Sequence, residues 1–195
     1  GIIEDFKGSY DLHINEILNL KHVNSDIIRK KRFKIVVDGI NSSGGIIIPK
    51  LLEALNVEVI KINCIPDGNF AHDPEPLDKN LDQLKEEVLK SNSDLGIAVD
   101  PDVDRLVFVS ENGETISEEN TLISCADYIL SKEKGSAVSN LSSSMGLRDV
   151  CKMYGVEYFS SMVGEINVVE KMKSVNAIIG GEGNGGIIYP ESHYG

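Results

Sequence analysis

The sequence predicts an α/β fold built as two tandem α/β domains, with mixed, largely parallel sheets flanked by helices. Three observations lead there. Short β-rich apolar runs alternate with amphipathic stretches of helical period, the mark of crossover connections. The pattern runs through once to Asn112-Gly113 and then starts again. The length, 195 residues, suits one large core or two modest ones.

Taken in order, a helix is expected from Ser9 to about Val23, then the strand FKIVV ending at Asp38-Gly39, then the loop GINSSGG. IIIPKLLEALN has the i, i+3, i+4, i+7 spacing of a packed helix, with Pro49 tolerable only near its first turn. VEVIKI is a second strand. NCIPDGNFAHDPEPLDKN is a long loop rich in Pro, Asp and Asn, and loops of that length are usually functional or interfacial. LDQLKEEVLKS reads as an amphipathic helix, DLGIAV and RLVFVS as strands, and Asn112-Gly113 as a tight turn. The second round opens with SEENTLISCADYILSKEKG, a helix with Ser117 as N-cap and acids in its first turn. SAVSN, VEYFSS, NAIIGG and GIIYP follow as strands, with helices over MGLRDVCKMYG, ending at Gly155, and EINVVEKMKS. The expected domains are 1–114 and 115–195.

Apolar residues at 41% and charged residues at 26% form an ordinary globular balance. Nineteen Lys and Arg against 31 Asp and Glu give −12, which argues against nucleic acid or an anionic membrane as partner. The basic cluster Arg29–Arg32 reads as a solvated junction between helix and strand. Cys64, Cys125 and Cys151 are far apart with no CxxC, so buried free thiols are expected rather than metal ligands or disulfides. No apolar run approaches the ~20 residues that span a bilayer, and the first residues lack a signal-peptide pattern. A reducing cytoplasm is the expected location. The chain starts at Gly1 without Met and reads as a piece of a longer protein.

The chemistry concentrates in GIAVDPDVDRLVFV, residues 96–109. On a straight strand rising ~3.3 Å per residue, Asp100 and Asp104 would lie ~13 Å apart. A cation with ~2.1 Å bonds cannot bridge that span. The segment must therefore curl, and Pro101 favours a break directly after the strand. Once curled, Asp100, Asp102 and Asp104 can converge on one hard divalent cation, Mg²⁺ first. An EF-hand would put Asp100, Asp102, Asp104 and Glu111 at loop positions 1, 3, 5 and 12, but Arg105 stands where Gly is needed and LVFV continues as strand. A DxDxT phosphotransferase loop would need Thr in place of Asp104. Arg105 is suited to binding a phosphate bidentately beside the metal; the alternative is that it only neutralises the aspartates. A second stretch, GGEGNGG at 180–186, lacks the Lys-Ser/Thr of a Walker loop and precedes a strand rather than a helix. By its residues alone it is a glycine-rich turn with Glu182 at the tip.

Together these stretches resemble a known family. VDPDVDR resembles the metal loop of the α-D-phosphohexomutases, usually DGDxDR, and GGEGNGG resembles their sugar-recognition loop, usually GE-x-S-G. VVDGINSSGG and PDGNF…DPEP resemble stretches of the family's second domain, in the right order. The form GGEGNGGIIYPESHYG is most similar to the branch of phosphoglucosamine mutases and phosphomannomutases. The resemblance implies a four-domain enzyme that interconverts hexose 1- and 6-phosphates through a phosphoserine and a bisphosphate. Asp100, Asp102 and Asp104 would hold Mg²⁺ against the phosphoserine, with Arg105 catalytic in the same region. Glu182 and Asn184 would face the hydroxyls of the phosphosugar as acceptors.

The resemblance also implies absences. The family's serine loop, of the type TASHNP, is not among these residues, nor is the phosphate-clamp domain. The chain would then be domain two and most of domain three, without domains one and four and inactive alone, binding Mg²⁺ weakly. NLSSSMG at 140–146 precedes a helix, so N-capping or phosphate contact at the helix start is expected of it. Pro101 replaces the usual Gly and Asn184 stands where many members have Ser, which leaves the sugar open. VGEIN at 163–167 lacks the basic or His residue of some members, and His193 and Tyr194 receive no role. The rival from another class is a non-catalytic module binding a divalent metal or a protein.

Overall fold

The computed structural model describes residues 7–194. The two chain ends, on which the reading of a cut piece rests, lie outside the described residues. Two helices, α1 (Ser9–Leu18) and α2 (Ser25–Lys31), lead into the first sheet. Its elements are β1 (Lys34–Asp38), α3 (Gly44–Ala54), β2 (Glu58–Ile62), α4 (Asp82–Ser91), β3 (Leu95–Val99), β4 (Leu106–Ser110) and β5 (Thr115–Ile116). Strand order is β2-β1-β3-β4-β5, with the first three parallel and the last two added antiparallel. Helix α5 (Glu118–Lys132) leads to β6 (Ala137–Asn140), α6 (Gly146–Tyr154), β7 (Tyr158–Ser161), α7 (Glu165–Val175), β8 (Ile179–Gly181) and β9 (Ile187–Ile188). These strands form a second sheet in the order β7-β6-β8-β9, parallel except for the last pair. The order of the first four strands is thus repeated, and the expected α/β class with mixed, largely parallel sheets is what the chain adopts.

Strand alternation decides which helix covers which face. Ile35, Val37, Ile97 and Val99 point to one side of the first sheet and pack with Leu52 and Leu55 at the end of α3. Val36, Ala98, Val107 and Val109 point to the other and pack with Leu81, Leu84 and Val88 of the α4 region. In the second sheet, α5 and α6 supply Leu122, Ala126, Leu147 and Cys151 to one side, while α7 supplies Val168, Val169 and Met172 to the other. Among the described residues no helix is long and apolar enough to cross a membrane.

Several local expectations need correcting. The helix expected to run to Val23 stops at Leu18, and α2 follows with Asn24 as its N-cap, whose side chain accepts the Ile27 N–H at 3.1 Å. Pro49 lies inside α3 rather than in its first turn, because the helix already begins within the SSGG stretch at Gly44. Ser117 occupies the N-cap position of α5, but its side chain makes no capping bond. The three cysteines are free, and only Cys151 is fully buried; burial pushes its thiol up to about 11.

Candidate functional site

The site forms beyond the carboxyl ends of the parallel strands, where open α/β sheets leave a crevice. After β3 the chain turns sharply. The Val103 N–H bonds back to the Asp100 carbonyl at 3.2 Å, and Val103 itself takes φ 64°, a left-handed conformation costly for a β-branched residue. Two hydroxyls hold the turn by donating to the Pro101 carbonyl, Ser43 at 3.1 Å and Ser42 beside it. Asp100 is buried at 3% exposure and accepts the Arg105 N–H at 3.1 Å. The expected curl is present: one oxygen each of Asp100, Asp102 and Asp104 lie within 4.8 Å of one another.

Burial, then the hydrogen-bonded Asp104 and the charges of Asp104 and Asp102, push the Asp100 carboxyl up to about 7. The hydrogen bond from the Arg105 N–H relieves this only in part. The Arg105 Nε stands 3.4 Å from Asp100 and 3.6 Å from Asp104, yet that atom is buried without a hydrogen-bond partner. Octahedral Mg²⁺ with ~2.1 Å bonds holds its oxygens roughly 3 to 4 Å apart. Asp102 and Asp104, the two exposed members of the group, are the ones with room to adjust. Three carboxylates crowded together and short of positive charge fit a hard divalent ion.

The second loop leaves β8 at Gly181 and closes on itself, with the Glu182 N–H donating to the Gly186 carbonyl at 3.0 Å. It is joined to the first loop through backbone alone. The Leu106 N–H donates to the Gly185 carbonyl at 3.2 Å, and Arg105 pairs with Gly186 as an antiparallel bridge. Gly185 is required there: its φ is 96°, and a Cβ would stand 2.8 Å from the Leu106 carbonyl oxygen. This seam brings Asp102, Asp104, Glu182 and Asn184 around one cavity of about 750 Å³. Asp100 lies buried behind it. Arg105 lies beside Asp100 and Asp104 and, with Glu75, lines a neighbouring cavity of about 210 Å³, which Asn184 also reaches.

Glu182 is held from behind, its Oε1 accepting Asn140 Nδ2 at 2.5 Å and the Gly164 N–H at 3.1 Å. Asn184 Oδ1 accepts the Gly186 N–H at 3.1 Å, which fixes its amide in the loop and leaves a second lone pair and both amide N–H groups toward a ligand. The serines before α6 depart from expectation, since the N-cap is Met145. Ser142 and Ser143 donate to Asn140 Oδ1 at 2.9 Å, and only Ser144 bonds the helix start, through the Gly146 N–H at 3.2 Å. Sequence reasoning did not single out Asn140, which holds Glu182; His13, Glu165 and His193 also lie in the wall of the larger cavity. The signal for Asn140 was its place at the carboxyl end of a parallel strand.

Residues 11–113 match the family model described as phosphoglucomutase/phosphomannomutase, alpha/beta/alpha domain II, and residues 117–195 match that of domain III. The chain belongs to the phosphoglucomutase/phosphomannomutase family. This phosphohexomutase chain is 37% identical to the "Phosphoglucomutase/phosphomannomutase" of Thermococcus kodakarensis, over 87% of its own length and 38% of that protein's. It is equally 37% identical to the "Probable phosphoglucosamine mutase" of Methanosarcina barkeri, over 100% of its length and 43% of that protein's. It therefore spans about two fifths of the curated relatives it matches. A solved family protein from Burkholderia thailandensis superposes with TM-score 0.85 at 25% identity, covering 98% of this chain and 41% of that one. The N-acetylphosphoglucosamine mutase of Aspergillus fumigatus, solved with GlcNAc-6P and magnesium, shares the fold at TM-score 0.54 and 14% identity, over 93% of this chain and 39% of that one.

The raised Asp100 carboxyl would make binding of a cation at these three carboxylates dependent on pH. In the folded protein without metal, stability from this group is present at low pH and lost as pH rises toward and through about 7, when Asp100 ionises beside two other carboxylates. A cation offsets that loss, and a proton competes with it. Mg²⁺ should raise the melting temperature more at pH 8 than at pH 6; equal shifts at both would contradict the site.

Proposed function

We propose that this chain carries the metal-binding and sugar-recognising parts of a Mg²⁺-dependent phosphohexomutase. The parent enzyme interconverts hexose 1- and 6-phosphates through a phosphoserine and a bisphosphate, with phosphoglucosamine or phosphomannose as substrate. The observation that carries this reading is the backbone seam at Leu106 and Gly185, which gives Asp102, Asp104 and Glu182 one shared cavity. The magnesium and amino-sugar phosphate of the Aspergillus relative's complex support it.

In this reading Asp100, Asp102 and Asp104 hold the ion, which when bound neutralises them and polarises a phosphoryl oxygen. Arg105 offers its guanidinium to the same phosphoryl group. Glu182 keeps Oε2 for a sugar hydroxyl while Asn140 and Gly164 fix Oε1, and Asn184 faces the same hydroxyls through its amide. Residues 1–114 and 115–195 are the family's second domain and most of its third. The serine loop and phosphate clamp belong to domains outside this chain, whose setting is the cytoplasm and which takes no nucleic acid or membrane partner.

The test is an assay of the full-length parent on the 1-phosphates of glucose, mannose and glucosamine, with the 195-residue chain alongside. The parent is expected to convert mannose or glucosamine phosphate fastest, and the shorter chain none. A parent that converts no hexose phosphate would overturn the assignment, and activity in the shorter chain would overturn the division of labour.

A further inference from the structure

Two of the ties that hold the long loop between β2 and α4 lie three residues apart, at His72 and Glu75. At the first, Asp38 closes β1 with its carboxylate at 1% exposure. A buried carboxylate must be fully hydrogen-bonded, and this one is. Oδ1 accepts the Ile40 N–H at 3.0 Å, Asn63 Nδ2 lies 3.2 Å from both oxygens, and His72 Nε2 reaches Oδ2 at 3.0 Å. The other ring nitrogen of His72 stands 2.8 Å from the Asp73 carbonyl. The ring is thus held at both nitrogens, between the Asp38 carboxylate and the Asp73 carbonyl.

At the second tie, Asp73 Oδ1 accepts the Glu75 N–H at 3.2 Å, and Glu75 Oε1 accepts Arg105 Nη1 at 3.3 Å. Among the described residues Glu75 is the one acceptor hydrogen-bonded to that guanidinium. The Glu75 side chain is 57% exposed, so an ion pair there adds little to stability. What it does is choose a direction for a long side chain that has many.

We infer that Glu75, and behind it the buried His72–Asp38 contact, are positioning residues for Arg105: the loop is latched to the end of β1 so that Glu75 fixes the guanidinium in the wall of the smaller cavity, with its Nε kept 3.4 Å from Asp100, where it meets the phosphoryl group. The inference rests on the reading of Arg105 as a phosphoryl contact. A rotamer held in advance lowers the ordering cost at the moment of reaction, which acts on turnover more than on substrate capture.

The test uses the full-length parent. Glu75→Ala, an exposed change that leaves the core untouched, is expected to lower kcat about tenfold with KM within twofold. Glu75→Gln retains an acceptor and should stay within about threefold of wild type. His72→Ala should match Glu75→Ala where it folds. In an Arg105→Ala background Glu75→Ala should cost less than twofold, because a positioning residue has nothing left to position. A loss as large in that background as in wild type, or no loss in either, would overturn the inference while leaving the mutase assignment standing. A wild-type parent without mutase activity would overturn both.

Discussion

Asp102→Asn in the full-length enzyme should lower turnover at least about 100-fold, the scale on which lost metal-derived charge stabilisation is felt. The residue is exposed in the cavity wall and takes no part in either core, so the variant should fold and melt as wild type does. Asparagine preserves the shape and one oxygen but removes the charge. Two carboxylates then remain for a doubly charged ion, and ligand substitutions of this kind weaken metal binding first. Saturating Mg²⁺ should therefore recover part of the loss and leave the remainder, which reports on polarisation rather than occupancy. Turnover within a few-fold of wild type at ordinary Mg²⁺ would contradict the role given to Asp102.

Gly185→Ala should be the most damaging small change to the seam between the two loops. Two costs add there. The backbone at φ 96° is poorly accessible to any residue with a Cβ, and that Cβ would press on the Leu106 carbonyl oxygen at 2.8 Å. Backbone lies on both sides, so no flexible side chain can yield. A loss of about 2–4 kcal/mol in urea unfolding is expected. Gly68→Ala is the control, since Gly68 has φ 76° but nothing within 4 Å of its Cβ. It should cost about 1 kcal/mol, the conformational part alone. Equal costs at the two positions would mean that the seam is not a close contact.

What could be read from the residues, and what could not, follows the range of the interactions. The curl at Asp100–Asp104 was legible because distance along a strand, ionic radius and Pro101 are all local facts. So were the alternating strands and helices. Helix α2 was missed because SDIIRKK is short and has two apolar residues, too few to show a period. The serines before α6 were assigned to capping, as their local context suggests, but Asn140 at the end of β6 takes two of their hydroxyls. That competition is visible only in three dimensions. Longer still are the pairings that build the site. Asn140 supports Glu182 across 42 residues, and Asp38 meets His72 across 34. The loop seam joins Arg105 to Gly186, a pairing that no spacing within either stretch suggests. Asn184 shows the limit from the other side: its position in the cavity was legible, while the engagement of its oxygen within its own turn was not.

The most direct measurement is anomalous diffraction from crystals of the full-length enzyme soaked in Mn²⁺, which takes the same oxygen ligands as Mg²⁺ and scatters anomalously. The account predicts a single strong peak bonded to one oxygen each of Asp100, Asp102 and Asp104, with Glu182 across the same cavity. A peak elsewhere, or three carboxylates bare at saturating metal, would contradict it.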